Sequence, residues 1–356
     1  MTNNSGQTGS SALQGMTLPT GWEVVAELCR NEDLTGGQFS HIYVVERNGK
    51  RGFLKAFDFS EAFDEEVDTF SILADLGAGY RHEFDILQLC IEKRMSRVVV
   101  ALDGGAVMVP GYPGAMGKVF YIVFELADGD VSGQVDLTTK FDTLWSLQVL
   151  KDVSLGLEQL HAHSIAHQDI RPSNVLIFRG ERVARIADLG RAHRKGRPVW
   201  FDERNIAGCV QYAPLELRYG HVTQDFATRH QACDLYMLGD LTAFMFTGAH
   251  ITPSVIALLD PQFAPDTWQG TYQQVLAYVE DAFAEVLSNL AAEIDPLVRD
   301  EIISVIRQLC LPDLARRGHP NGIGRPDQFS TRRYVTLFDV LGKKTDLRQR
   351  ILDRSA

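Results

Sequence analysis

Between Trp22 and Phe124 the apolar residues fall in short β-branched and aromatic runs, HIYVV, GFLKAF, RVVVAL and VFYIVF, a pattern that predicts strands. One or two helical stretches are predicted among them, between Ser60 and Cys90. Beyond a polar turn at Asp128, Gly129 and Asp130 the period changes. Leu144, Leu147, Val149, Leu150, Val153 and Leu157 recur at helical spacing, and a larger helical region follows. TYQQVLAYVEDAFAEVLSNL and DEIISVIRQLC carry amphipathic spacing that reads as packed core helices. RGHPNGIGRPDQFSTRRYVTLFDVLGKK supplies breakers and then a basic, partly apolar helix, able to dock on this region or on a partner. Residues 1–20, rich in Ser, Thr, Asn, Gly and Gln, carry few large apolar groups and are expected to form a mobile, disordered tail. No repeat of solenoid length occurs.

Composition narrows the function. The 356 residues are 45% hydrophobic and 23% charged, with a formal net charge of −11, so no basic surplus is available for nucleic acid or an acidic membrane surface as main partner. Cys29, Cys90, Cys209, Cys233 and Cys310 are odd in number and never form a CxxC pair, which argues against a disulfide framework or zinc site. The most apolar stretch, Leu235 to Phe246, is interrupted by Asp240, and no apolar signal core opens the chain, so a cytoplasmic location is expected.

The segment that carries chemistry is HQDIRPSNVLIF, His167 to Phe178, followed after a turn at Gly180 and Glu181 by RIADLG, which ends at Gly190. Taken alone, His-x-Asp reads as a loop with an Asx turn. Here an acid, a cation and an amide share one loop, and a second carboxylate follows a hairpin. Phosphoryl transfer needs such a set: Asp169 to orient a hydroxyl and accept its proton, Asn174 and Asp188 to hold magnesium against phosphates, and Arg171 to neutralise developing charge.

These segments resemble the catalytic loop HRDxxxxN and the metal-binding DFG of the protein kinase superfamily, standing here as HQDIRPSN and DLG. YAPLEL (Tyr212 to Leu217) is similar to the family's APE segment, and CDLYMLG (Cys233 to Gly239) to its DxWxxG helix. The resemblance, which runs from about residue 22 to 318, implies that Glu216 pairs with Arg317 and that Asp234 caps the catalytic-loop backbone. It also places LTGGQFSHIYVV, with Gly37 on a glycine position and Gly36 out of register, over the phosphates; a lone glycine pair is otherwise a simple turn. Lys55 takes the place of the strand lysine that contacts phosphates. Its helix partner could be Glu65 or Glu66; Glu83 is preferred because Ile86 and Leu87 follow at i+3 and i+4, which implies an extra helix near residues 61–76. IVFELADGD resembles the hinge, implying adenine contacts by the carbonyl of Glu125 and the amide of Ala127, with Phe124 as gatekeeper; an ordinary edge strand is the plainer reading. Ile42 and Leu176 complete the implied nucleotide contacts.

Four positions depart from the family pattern. Gln168 stands for the arginine that a phosphorylated activation loop neutralises, and Leu189 to Ala213 contains no serine or threonine, so activation is expected not to depend on Ser/Thr phosphorylation there. Arg171 stands for a lysine, Cys209 for a bridging threonine, and Phe53 for a small alanine above adenine.

The resemblance thus implies an α+β, bilobal fold with a small β-rich N-lobe holding a helix (21–124), a larger mainly helical C-lobe (125–318) and a helical extension packing on it (319–356). It implies ATP and Mg2+ as cofactors and phosphoryl transfer to Ser/Thr of a protein, with a pseudokinase scaffold and a small-molecule kinase as alternatives. The arrangement also looks like bacterial serine/threonine kinases without membrane or sensor domains.

Overall fold

The computed structural model describes residues 9–28, 40–58, 69–112, 114–134 and 142–355. The chain divides into two units, Met1–Asp128 with Ala187–Gly190, and Gly129–Ile186 with Arg191–Ala356. The fold is mixed α+β, with a β-sheet N-terminal region and a helical C-terminal region. The short strip Ala187–Gly190 carries Asp188 into the first unit, although its neighbours in sequence belong to the second.

In the first unit, β1 (Glu23–Glu27), β2 (Ser40–Arg47), β3 (Lys50–Phe57), β4 (Ala101–Met108) and β5 (Lys118–Glu125) form an antiparallel sheet in the order β1-β2-β3-β5-β4. β2 and β3 are joined by Asn48 and Gly49, at φ 53° and 73°, a two-residue turn whose left-handed residues match strand twist and fix the register Arg47↔Lys50. VFYIVF lies in β5, paired on both sides, with Tyr121, Ile122, Val123 and Phe124 all buried. Helix α1 (Thr69–Glu92) turns Tyr80, Glu83, Ile86, Leu87 and Cys90 inward. That is one helical stripe. An extra helix near 61–76 was expected. Residues 69–76 instead continue into the helix of Glu83, because neither Gly77 nor Gly79 breaks it, while 61–68 lie outside the described residues.

The expectation of a mobile tail over residues 1–20 is corrected for 9–20. Gly9–Ala12 forms a short 3-10 turn, and Leu13 and Leu18 sit in one core with Trp22, Tyr43, Leu54 and Tyr121. The Tyr43 hydroxyl donates to the Ser10 carbonyl at 2.6 Å. Only two large apolar residues were needed, since each buried leucine contributes about 2 kcal/mol.

The second unit opens with β6 (Gly129–Asp130), α2 (Val131–Gln134) and α3 (Thr143–His161), the last capped by the Asp142 carboxylate on the Trp145 amide at 2.9 Å. β7 (Ile165–Ala166), β8 (Val175–Phe178), β9 (Val183–Ile186) and β10 (His193–Arg194) form two small antiparallel sheets, β6-β8-β9 and β10-β7. Then come α4 (Leu215–Arg218), α5 (Ala232–Thr247), α6 (Ile251–Leu258), α7 (Tyr272–Glu293), α8 (Arg299–Cys310) and α9 (Arg332–Ser355).

Helix α5 is buried nearly all round and forms the axis of this unit. Asp240 accepts from the Ile251 amide at 2.6 Å and meets His250 Nδ1 at 2.7 Å, fixing the start of α6. α8 packs on α5 and α9 on α3, where Tyr334, Phe338 and Leu341 are buried and Lys151 meets Asp339 at 3.2 Å. Among the described residues no single helix is long and apolar enough to cross a membrane. Cys90, Cys209, Cys233 and Cys310 are free thiols.

Candidate active site

Within the first unit, three charged side chains meet. β3 presents Lys55 from its buried face, and the inward stripe of α1 presents Glu83 among apolar neighbours. Lys55 Nζ donates to the Glu83 oxygens at 2.9 and 3.1 Å and to Asp188 Oδ1 at 3.2 Å. Burial favours the neutral amine, but the carboxylates of Asp188 and Glu83 outweigh it and the Lys55 pKa is raised above the usual lysine value. Asp188 holds a left-handed φ of 61°, a conformation Asp tolerates better than most residues.

The other nucleotide-contact candidates of this unit lie on the sheet or just beyond it. Ile42 is buried in β2. Glu125 ends β5, its amide donating to the Val100 carbonyl at 3.2 Å and its Oε1 accepting from the Val100 amide at 3.0 Å, while Ala127 lies two residues on, outside any strand. Phe53 and Phe124 are cross-strand partners with ring centroids 6.4 Å apart. Gly37 and Gly36, with Glu65 and Glu66, lie outside the described residues.

In the second unit the loop between β7 and β8 carries Asp169, Arg171 and Asn174. Asp169 is 6% exposed, and its two oxygens have separate partners. Oδ1 accepts from the Cys209 amide at 2.9 Å, whereas Oδ2 accepts from Asn174 Nδ2 at 3.1 Å and lies 3.5 Å from Arg171 Nε. Asn174 Nδ2 also donates to the Asp169 carbonyl at 2.8 Å, which fixes the amide and leaves its oxygen end as the remaining acceptor. Leu176 follows in β8, half-buried. The approach of Cys209 requires Gly208: a Cβ there would lie 2.6 Å from Asp169 Oδ1 and closer still to the Gln168 carbonyl oxygen.

The loop is held by one buried carboxylate, and a second buried charge pair lies on other elements of the same unit. Asp234, at the start of α5, accepts from the His167 and Gln168 amides at 2.7 Å each and meets His161 Nε2 at 2.8 Å. Burial alone would raise its pKa, but these partners hold it below the usual carboxylate value. Glu216 and Arg317 form a forked pair with both contacts at 2.7 Å, Arg317 being fully buried.

Sequence reasoning missed three parts of this site. His230, at the end of a π-helical turn before α5, meets Gln168 Oε1 through Nδ1 at 2.9 Å and accepts from Gln168 Nε2 through its carbonyl at 2.8 Å. His161 and Gly208 are the others. None stands in a motif; each lies 39 to 73 residues from the partner it meets, and a lone His or Gly carries no sequence signal of such a contact.

Oxygen donors suit a hard divalent cation, and the Asp188 carboxylate and the Asn174 carboxamide oxygen are of that kind. The donor chemistry therefore fits magnesium.

A family model described as a protein kinase domain matches residues 76–319, more than half of the chain. A probable cell division protein kinase of Encephalitozoon cuniculi is 26% identical over 227 residues, 63% of this chain and 62% of that protein. A serine/threonine-protein kinase of Saccharomyces cerevisiae is 31% identical over 104 residues, 26% of this chain and 16% of its own. A MAP kinase-interacting serine/threonine-protein kinase of Xenopus tropicalis is 28% identical over 138 residues, 36% of this chain and 33% of its own. The chain thus spans less than two thirds of the length of each. All three are eukaryotic, and the expected likeness to bacterial kinases finds no support among them.

Proposed function

The chain belongs to the protein kinase family, and from that premise we propose that it transfers the γ-phosphoryl group of ATP to serine or threonine hydroxyls of a protein. The observation that carries this reading is Asp169 itself. Its carboxylate is fixed from two sides, by the Cys209 amide on one oxygen and by Asn174 on the other, which is how a group that must aim a hydroxyl is held. In the proposed reaction the substrate oxygen bonds to the γ-phosphorus, the bond from that phosphorus to the bridging oxygen breaks, ADP leaves and the hydroxyl proton passes to Asp169.

Lys55, oriented by Glu83, offers its ammonium to the nucleotide phosphates, and Arg171 offsets charge on the transferred group. Asp188 and Asn174 are each proposed as a magnesium ligand. Magnesium, when bound, would neutralise phosphate charge. Ile42, Glu125, Ala127 and Leu176 are proposed around the adenine, with Gly37 toward the phosphates.

The test is magnesium-dependent incorporation of labelled phosphate by wild type, Asp169→Asn and Lys55→Met. Each variant is expected to lose at least about a hundredfold in rate. Equal incorporation by all three proteins would defeat the assignment. A pseudokinase scaffold that binds nucleotide weakly or not at all is the second reading, favoured by the bulk of Phe53 beside Phe124. It predicts no transfer by wild type, and no shift of the melting temperature with ATP and magnesium if the rings exclude adenine.

A further inference from the structure

The chain carries a net charge of −11, yet Arg191 to Arg204 holds five Arg or Lys residues against two carboxylates. We propose that the basic turn Arg194 to Arg197, exposed from Lys195 onward, together with Trp200 and Arg204, receives an acidic segment of the protein substrate, an inference that rests on the kinase reading above.

Three observations support it. First, two nearby acids, Asp202 and Asp225, are spent on local contacts. Asp202 accepts from the Val199 amide at 2.8 Å and meets His193 Nε2 at 3.1 Å, and Asp225, which feels the charge of Lys195, accepts from the Thr228 amide at 2.9 Å and its hydroxyl at 2.8 Å. Glu203 is exposed. Among the described residues neither Arg194 nor Arg197 has a carboxylate within ion-pair distance.

Second, the turn is preformed by neutral contacts. Arg194 pairs with Ile165 across β10 and β7, the Lys195 amide donates to the Ser164 carbonyl at 2.9 Å, and the Arg197 amide closes the turn on the Arg194 carbonyl at 3.0 Å. Beneath it the His193 ring stacks on His230 at 4.2 Å and meets Phe201 edge-on at 5.0 Å. Arg229 ties the segment back by donating to the Asp202 carbonyl at 3.0 Å. An acidic partner therefore meets a backbone turn already fixed, with less ordering left to oppose binding.

Third, the position is right for a substrate. This segment runs directly to Cys209, whose amide touches Asp169. Trp200 is 37% exposed, with the guanidinium groups of Arg191 and Arg204 each 5.1 Å from its ring centroid, so an apolar surface flanked by cations faces solvent.

Binding and turnover are measured separately on the full chain. A fluorescent peptide with a central serine flanked by Asp and Glu, and its counterpart with Lys and Arg, are titrated by anisotropy and then used as substrates. Arg194→Glu/Lys195→Glu/Arg197→Glu is compared with Arg194→Lys/Arg197→Lys, which keeps the charge and guards against misfolding. Wild type is expected to prefer the acidic peptide about tenfold, the preference to shrink in high salt and vanish in the Glu variant, and the Lys variant to retain it. Equal affinity for both peptides, or an unchanged preference in the Glu variant, overturns the proposal. Tighter binding of an oligonucleotide or an anionic vesicle than of the peptide overturns it as well. Should the acidic peptide bind selectively but never receive phosphate, the surface stands and the kinase reading falls.

Discussion

At the scale of single residues, the second unit contains two charges that could not be there alone. Arg317 is fully buried, and its burial would favour loss of the proton, yet Glu216 holds its pKa above the usual arginine value. The pair is worth little against an apolar replacement of the same shape. Breaking one side is another matter. Arg317→Met is expected to cost about 3–5 kcal/mol in urea unfolding, because the Glu216 carboxylate is left buried without a partner. Glu216→Gln added to Arg317→Met should restore part of that loss, since the stranded charge is removed. No recovery in the double variant would mean that the cost is one of packing. Lys55 stands in the same relation to Glu83 and Asp188, but there the charge is proposed to serve the nucleotide as well.

At the scale of elements, the loop between β7 and β8 is joined to the start of α5 by Gln168 and His230. Burial, the His193 ring and Arg229 push the His230 pKa down to about 3, while Asp234 and Asp202 act in the opposite direction. The unfolded chain binds this proton near pH 6.5, so between about 6.5 and 3 the unfolded state carries more protons than the folded one. Stability from this group is therefore complete above pH 6.5 and declines as the pH falls. About 2 kcal/mol should be lost between pH 6.5 and 5. In His230→Asn that part of the slope is expected to disappear, and urea melts of wild type and variant at pH 7, 6 and 5 measure it. Parallel pH dependence in the two proteins would show that His230 stays neutral for no energetic consequence.

At the scale of the molecule, residues 9–20 belong to the first unit's core. Leu13 and Leu18 are 0% and 2% exposed, so Leu13→Ala and Leu18→Ala are each expected to cost about 2–5 kcal/mol. A thermal melt indistinguishable from wild type would return this segment to the status of a tail. Its role was hidden in the sequence because two leucines in a polar stretch reveal nothing of the sheet that covers them. The strands at HIYVV, GFLKAF and VFYIVF, the helical period after Thr143, and the spacing of Asp169, Asn174 and Asp188 were legible for the opposite reason, whereas of the expected strand RVVVAL only Ala101 and Leu102 enter β4. Local periodicity and short loops depend on neighbours in the chain, and the sequence alone specifies those. It also determined the family and the pairing of Glu216 with Arg317, through motifs whose order is preserved over long distances. Only the tertiary structure decided that one continuous helix presents Glu83 to Lys55, that Gly208 admits the Cys209 amide to Asp169, and that His230 holds Gln168. Those contacts join residues far apart in sequence, where the packing of whole elements, and no local preference, sets which side chains meet.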